Sequence, residues 1–297
     1  MNLFLVGPTA CGKHEVSMIV AERLGAEILS IDSMKVYRGL DIGTAKPSAA
    51  DRRRIRHHLI DIVDPSETYS AGRFVADARE ASAELPVALL SGGTFLYYKA
   101  FVYGMFRGPA ASAERRAELT RILKDQGPES LYRRLQRADP QAAARLHPND
   151  AKRVIRALEV VETSGRPISE SQTQWKEKPP RGLRAVALVR SREELRSRIE
   201  KRIDKMIAAG LIDESRAQAG RNLSREVRGS IGYKEALAHL RGELPLQRVR
   251  EEMVRRTWLF CRKQLAWIRS LKELRALDVT GSTDPVAVAS KVLDLLG

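Results

Sequence analysis

The chain opens on an unbroken apolar run, Leu3 to Val6, that stops at Gly7. A short run apolar on both faces predicts a strand buried inside a parallel sheet. Residues 14–24 switch to helical spacing, with Val16, Ile19, Val20 and Leu24 on one face and Gly25 at the end. Ala26 to Ile31 predicts a second strand, closing on Asp32-Ser33. A polar stretch over 34–56 follows, with Gly39, Gly43 and the basic run Arg52-Arg53-Arg54. His58 to Val63 predicts a short strand stopped by Asp64-Pro65. Ser70 to Leu85 predicts a helix with Ser70 as its N-cap, and Pro86 to Leu90 another buried strand before Ser91-Gly92-Gly93-Thr94. Strands alternating with helices define an α/β class, a parallel sheet with helices on both faces. Ligands of such sheets sit beyond the carboxyl ends of the strands. Three polar turns fall there: the loop before Lys13, Asp32-Ser33, and Gly92-Gly93-Thr94.

From about Ser112 the pattern becomes purely helical, over 113–125, 128–138 and 149–164, with Asn149-Asp150 as a capping signal and Gly165-Arg166-Pro167 as a stop. A polar stretch then runs to Lys178-Pro179-Pro180. The strand pattern resumes at Arg184 to Val189. Two long basic helices follow over 192–209 and 246–272, on either side of a Gly232-Tyr233 turn region, and Ala276 to Thr280 predicts a last strand. The expected organisation is therefore a catalytic core of residues 1–111 and 183–297, interrupted by a helical insertion of residues 112–182. No internal repeat or low-complexity tract is present.

Composition adds a partner. The 297 residues are 43% hydrophobic and 30% charged, which is globular, and the net charge is +15. That excess argues for a polyanion, nucleic acid before an acidic membrane surface. The two cysteines, Cys11 and Cys261, have no metal-ligand spacing and imply no disulfide framework, so a reducing cytoplasm is expected. No run approaches the roughly 20 apolar residues of a membrane span. The apolar start lacks a basic leader, so no signal peptide is expected.

The first turn carries the clearest chemistry. Gly7-Pro8-Thr9-Ala10-Cys11-Gly12-Lys13 follows a strand and opens a helix, which is the pattern of a phosphate-cradling, nucleotide-binding loop. Its N–H groups and the helix start suit an anion, and Lys13 adds a charge. The pattern calls next for a hydroxyl that binds Mg²⁺; His14 stands there instead. Asp32, at a strand end, suits a proton acceptor, and equally a cap or a metal ligand. Thr94 could donate to a leaving oxygen or cap the helix after it. Arg198 and Arg202 share a helix face, fit either to clamp a diphosphate or to form a solvated basic surface with Glu194 and Glu200. Arginines around Trp258 and Trp267 suit RNA, although the tryptophans themselves are expected in the core.

Together these residues resemble the tRNA dimethylallyltransferase (tRNA isopentenyltransferase, IPP transferase) family, of the bacterial type, since no zinc-finger extension follows. GPTACGKH is similar to that family's GPTASGKT. ILSIDSMKVYRGLDIGTAKP, DPSETYSAGRF, LLSGGTFLYYKA, LHPNDAKRVIRALEV, LRSRIEKRIDKMIAAGLIDE, SIGYKEAL and RRTWLFCRKQLAWIR fall in its order. A P-loop kinase, the alternative reading, would share the first of these alone. The resemblance implies a P-loop fold and transfer of a dimethylallyl group from dimethylallyl diphosphate to the exocyclic amine of the adenosine 3′ of the anticodon. It also implies that Mg²⁺ assists and that the enzyme is a monomer. It implies catalytic roles for Asp32, Thr94 and Arg202, diphosphate binding by Gly7 to His14 with Arg198, and a tRNA anticodon stem-loop gripped between core and insertion. The implied RNA contacts are Asp32, Ser33, Met34, Lys35, Thr94, Arg116, Lys152, Arg153, Val154, Ile155 and Arg156. His14 for threonine leaves the metal site open. Phe95, where the family commonly has glycine, is expected to narrow the pocket.

Overall fold

The computed structural model describes residues 1–105, 112–171, 175 and 178–297. The expected boundary at residue 111 and part of the polar stretch before Lys178 lie outside the described residues. Contacts divide the chain into two compact units, Met1–Phe101 with Pro180–Gly297, and Val102–Pro179.

The first unit is built on a six-stranded, wholly parallel sheet in the order β3-β2-β4-β1-β5-β6. β1 (Asn2–Val6) runs between β4 (Ala88–Gly92) and β5 (Arg184–Val189). That central place explains its sequence: Leu3, Phe4, Leu5 and Val6 are all buried because both faces are covered. β2 (Glu27–Ile31) and β3 (His57–His58) extend one side, β6 (Arg275–Asp278) the other. α1 (Lys13–Leu24) starts at Gly12 and ends at Gly25, both left-handed. α15 (Pro285–Leu296), unforeseen in the sequence, packs on α1 and β5, and Arg23 donates to Ser290 Oγ at 2.8 Å.

Three expectations need correction. The polar stretch 34–56 contains a helix, α2 (Ala49–Arg54), held by a capping box between Ser48 and Asp51. It has no buried residue, so no apolar stripe announces it. The strand expected over 58–63 is only two residues long. Leu59 and Asp61 have φ of 61° and 59°, which no strand tolerates. The chain turns there because Asp61 binds Lys46 and Arg52. α3 (Ala71–Ala83) and α4 (Phe95–Tyr103) complete this half. After β5 come α10 (Arg192–Ala208), the short α11 (Leu211–Gln218), α12 (Arg225–Gly229) and α13 (Tyr233–Leu240), then the 25-residue α14 (Leu246–Ser270). Trp258 and Trp267 on α14 are half-buried rather than core, and Lys99 lies over the Trp267 ring at 5.5 Å.

The second unit is helical among its described residues. α5 (Ala113–Gln126), α6 (Pro128–Ala138) and α8 (Ala151–Ser164) carry its core, with α7 (Pro140–Ala143) and α9 (Ile168–Ser171) as single turns. Leu119, Leu131, Leu135, Val154 and Leu158 meet in one buried cluster.

Candidate active site

A cavity of about 820 Å³ opens in the first unit beyond the carboxyl ends of β1, β2 and β4. All three polar turns that the sequence singled out line it, through Lys13, Asp32 and Thr94, and Arg202 joins them from α10.

The loop after β1 is fixed from several sides. Gly7 has no room for a side chain: a Cβ there would lie 2.8 Å from both Cys11 Sγ and Leu188 O. Gly12 has φ of 92°, and the start of α1 has no side-chain cap. Its first N–H groups therefore remain available to an anion. The loop carbonyls, which would repel an anion, are turned to cations. Arg198 Nε donates to Ala10 O and Arg190 Nε to Cys11 O, both at 2.8 Å, and Lys13 Nζ to Pro8 O at 3.0 Å. The Thr9 N–H is not offered to a ligand. It donates to Gln264 Oε1 at 2.8 Å, and Gln264 Nε2 donates to Gly93 O at 2.8 Å. Buried Gln264 thus clasps the first loop to the loop after β4. Arg190 and Gln264 were missed in the sequence. Gln264 lies 255 residues from Thr9 and Arg190 179 from Cys11, beyond any local pattern.

Asp32 holds its own turn. Its Oδ1 accepts the Met34 N–H at 2.9 Å and the Lys35 N–H at 3.3 Å, so one oxygen holds the turn. No hydrogen bond engages Oδ2 among the described residues. Thr94 does not cap α4 with its side chain. Its Oγ1 accepts the Ser33 N–H at 3.2 Å, which leaves the hydroxyl proton to donate. The two arginines of α10 divide their work. Arg198 braces the loop and lies 3.8 Å from Glu194, whereas Arg202 has no ion pair among the described residues. Burial pulls Arg202 below its ordinary pKa, with Asp32 opposing; arginine stays charged regardless.

The segment 41–47 that borders the cavity is anchored from below. Glu214 accepts the N–H groups of Asp41, Ile42 and Gly43 at 2.7, 2.8 and 3.1 Å, and Tyr233 donates to the same carboxylate. A Cβ on Gly43 would lie 2.6 Å from the Tyr233 ring. Ile203, Met206, Met253 and Phe260 give the cavity an apolar wall. Phe95 is not part of it: it is buried at 3% exposure, outside the lining.

Metal ligands are harder to find. No group of three His, Cys, Asp or Glu side chains among the described residues could hold an ion. His14 Nε2 lies 3.3 Å from Asp51 Oδ2, and Asp51 is already engaged by Ser48. An imidazole at this position is a poor partner for Mg²⁺, which prefers oxygen. The residues present do not fit a protein-held Mg²⁺.

Of the expected RNA contacts, Ser33, Met34 and Lys35 line the cavity with Asp32 and Thr94. Those in the helical unit differ among themselves. Lys152 and Arg153 are exposed and Arg156 is half-exposed. Val154 and Ile155 are buried at 1% and 8%, so their side chains serve the helical core. Arg116 binds buried Glu159 through two hydrogen bonds of 2.7 and 2.8 Å, which commits much of its guanidinium internally.

A parallel sheet whose first strand feeds a glycine-bounded loop and a helix, with cations gathered over the strand ends, defines a P-loop-type protein built to hold a phosphorylated ligand. Residues 35–271 match the IPP transferase (IPPT) family, and the chain belongs to it. It is 42% identical over 288 residues to the tRNA dimethylallyltransferase of Geobacter metallireducens, covering 94% of this chain and 93% of that one. Among solved structures it resembles the tRNA isopentenylpyrophosphate transferase of Bacillus halodurans (TM-score 0.71, 34% identity, 99% and 96% of the two chains). It also resembles a eukaryotic dimethylallyltransferase described as acting on tRNA (TM-score 0.79, 26% identity, 98% and 77%).

Proposed function

We propose that this chain transfers a dimethylallyl group from dimethylallyl diphosphate to the exocyclic N6 amine of the adenosine 3′ of the anticodon, in tRNAs that read codons beginning with U. Membership of the family supports the reaction class. The observation that carries the site is the gathering of Lys13, Asp32, Thr94 and Arg202 around one cavity that also has an apolar wall.

The chemistry matches these residue types. An adenine amine is a weak nucleophile because its lone pair is conjugated with the ring. As N6 attacks the allylic carbon, the carbon–oxygen bond to diphosphate breaks and its electrons go to the leaving oxygen. The N6 proton passes to Asp32, whose Oδ2 has no hydrogen bond among the described residues. Charge growing on the diphosphate meets Lys13, the open N–H groups of α1, Thr94 and Arg202. Fixed donors of this kind are worth about 3–4 kcal/mol each in a transition state. Ile203, Met206, Met253 and Phe260 would enclose the five-carbon chain and keep water from the allylic cation.

The adenosine must leave its stack to enter such a cavity. Ser33 and Met34 would meet it there, and Lys152, Arg153 and Arg156 would contact phosphates from the helical unit. Such contacts make binding salt-sensitive. Mg²⁺ is expected with the diphosphate, held by its oxygens and water rather than by this chain, and no step is assigned to the ion. A cytoplasmic setting suits the free Cys11 and Cys261.

The test supplies labelled dimethylallyl diphosphate, or labelled ATP, with unmodified tRNA. Label moving from the prenyl donor to tRNA is expected. Phosphate moving from ATP to a small acceptor would make the chain a kinase, and RNA binding without transfer would make it a binding protein.

A further inference from the structure

Lys35 follows β2 on the same turn as Asp32, and its backbone N–H donates to Asp32 Oδ1 at 3.3 Å. Its side chain lines the cavity with Asp32, Lys13 and Arg202. It is half-buried, and no acceptor engages its amine among the described residues. The neighbouring cations differ in this respect. Lys13 donates to Pro8 O, Arg198 to Ala10 O, Arg52 to Asp61, and Lys46 to Tyr37 O, Asp41 and Asp61. Five titratable or charged groups act with or against Lys35: Asp32 on its own turn, Lys13 on α1, Arg52 on α2, His57 on β3 and Arg202 on α10. Arg202, Lys13 and Arg52, the last already paired with Asp61, outnumber Asp32 around this amine and leave the spot positive. A further ammonium there is disfavoured until a polyanion arrives. Burial first, then Arg202, Lys13 and Arg52, pull Lys35 down to about 8, with Asp32 opposing.

We propose that Lys35 completes the diphosphate cradle with Lys13 and Arg202, and that its amine takes a proton from solvent as the diphosphate enters. This rests on the prenyl-diphosphate reading of the cavity. In the empty site Lys35 is partly neutral, which relieves repulsion among the cations. The incoming anion reverses the local charge, so the amine becomes an ammonium and donates to a phosphate oxygen. When diphosphate leaves, the proton returns to solvent. No other group of the site has to give up a proton.

The experiment is titration calorimetry of inorganic diphosphate into the full chain, with EDTA, at pH 8, in two buffers of different ionisation enthalpy. The difference in heat counts protons. Burial holds His57 below its ordinary pKa, so at pH 8 it stays out of the count. The ligand's own protons cancel between the unmodified chain and its variants. The unmodified chain should take up about half a proton more than Lys35→Arg or Lys35→Met, as a group near its pKa must. Lys35→Arg should keep its affinity within a few fold, because its charge is permanent. Lys35→Met should lose about tenfold or more, the worth of one charge-assisted hydrogen bond. Equal uptake by the unmodified chain and Lys35→Arg overturns the proposal. So does a Lys35→Met chain that binds diphosphate normally, including one that has lost tRNA affinity instead, which would assign the side chain to RNA. Lys35-dependent uptake without prenyl transfer would refute the reading of the reaction alone; transfer without that uptake would refute only the role of Lys35.

Discussion

Gln264→Leu isolates the clasp that joins the two loops of the site. Gln264 is 3% exposed, accepts from Thr9 N and donates to Gly93 O, each at 2.8 Å. Leucine fills a similar volume but offers neither group, so two backbone partners lose their bonds. Fully buried, each orphan would cost about 1–3 kcal/mol. Thr9 and Gly93 are only half-buried, so water re-satisfies part of the loss and the low end of that range applies. Two such losses cost about 2 kcal/mol in all. In a unit of roughly 200 residues this lowers the melting temperature by about 4–8 °C. The effect on turnover should be larger than stability alone suggests. Without the clasp, the loop bearing Lys13 and the turn bearing Thr94 shift relative to each other, and a misplacement near 1 Å costs on the order of 100-fold in rate. Prenyl transfer with labelled donor, measured well below the melting temperature, alongside thermal unfolding, reads both quantities. A variant that unfolds earlier but turns over normally would show that the clasp holds the fold and not the site. Unchanged values of both would refute the reasoning altogether.

Other perturbations follow from the same geometry. Asp32→Ala should retain tRNA binding in a filter or mobility assay while transfer falls at least about 100-fold, the worth of a positioned general base; normal transfer would remove Asp32 from the reaction. His14→Thr restores a hydroxyl after Lys13, so diphosphate binding measured with Mg²⁺ and with EDTA should diverge more than in the unmodified chain. Equal divergence would mean that the imidazole had not displaced a metal ligand. Asp139 is 1% exposed and accepts the Ala142 and Ser169 N–H groups at 2.9 Å and the Ser169 hydroxyl at 2.6 Å. Burial alone would raise its pKa, but the Ser169 and Ala142 donors outweigh it and hold the carboxyl below the ordinary range. Its contribution is therefore complete above the unfolded pKa near 4 and is lost as pH falls through the lower folded value. Asp139→Ala should cost about 3 kcal/mol at pH 7, measured by urea unfolding of the full chain, and much less at pH 2; an equal cost at both would contradict the assignment.

The parts of the fold legible in the sequence are those whose burial leaves a local period. β1, β2, β4 and β5 sit inside the sheet, so their residues are apolar on both faces and stand out as short runs. α1 and α8 end on left-handed Gly25 and Gly165, which the sequence marks directly. α2 has no buried face, and β3 is two residues long beside left-handed Leu59 and Asp61, so neither leaves a period to read. The site divides along the same line. Lys13, Asp32 and Thr94 follow strands, and a strand end in a parallel sheet predicts a ligand position. Gln264, Arg190, Glu214 and Tyr233 act on backbone atoms more than 150 residues away, and only tertiary structure brings them there. Val154 and Ile155 show the converse: a stretch matched as a block to RNA contact alternates side chains that face solvent with side chains that fill a core.

The central claim is that the loop before Lys13 holds a diphosphate that leaves whole while its allylic group goes to an adenosine. The most direct measurement digests tRNA to nucleosides after incubation with the protein and dimethylallyl diphosphate, and weighs the adenosine 3′ of the anticodon by mass spectrometry. A dimethylallyl group on its N6, with one diphosphate released per group transferred, is the predicted result. An unmodified adenosine at that site, in a preparation that binds both tRNA and diphosphate, would contradict it.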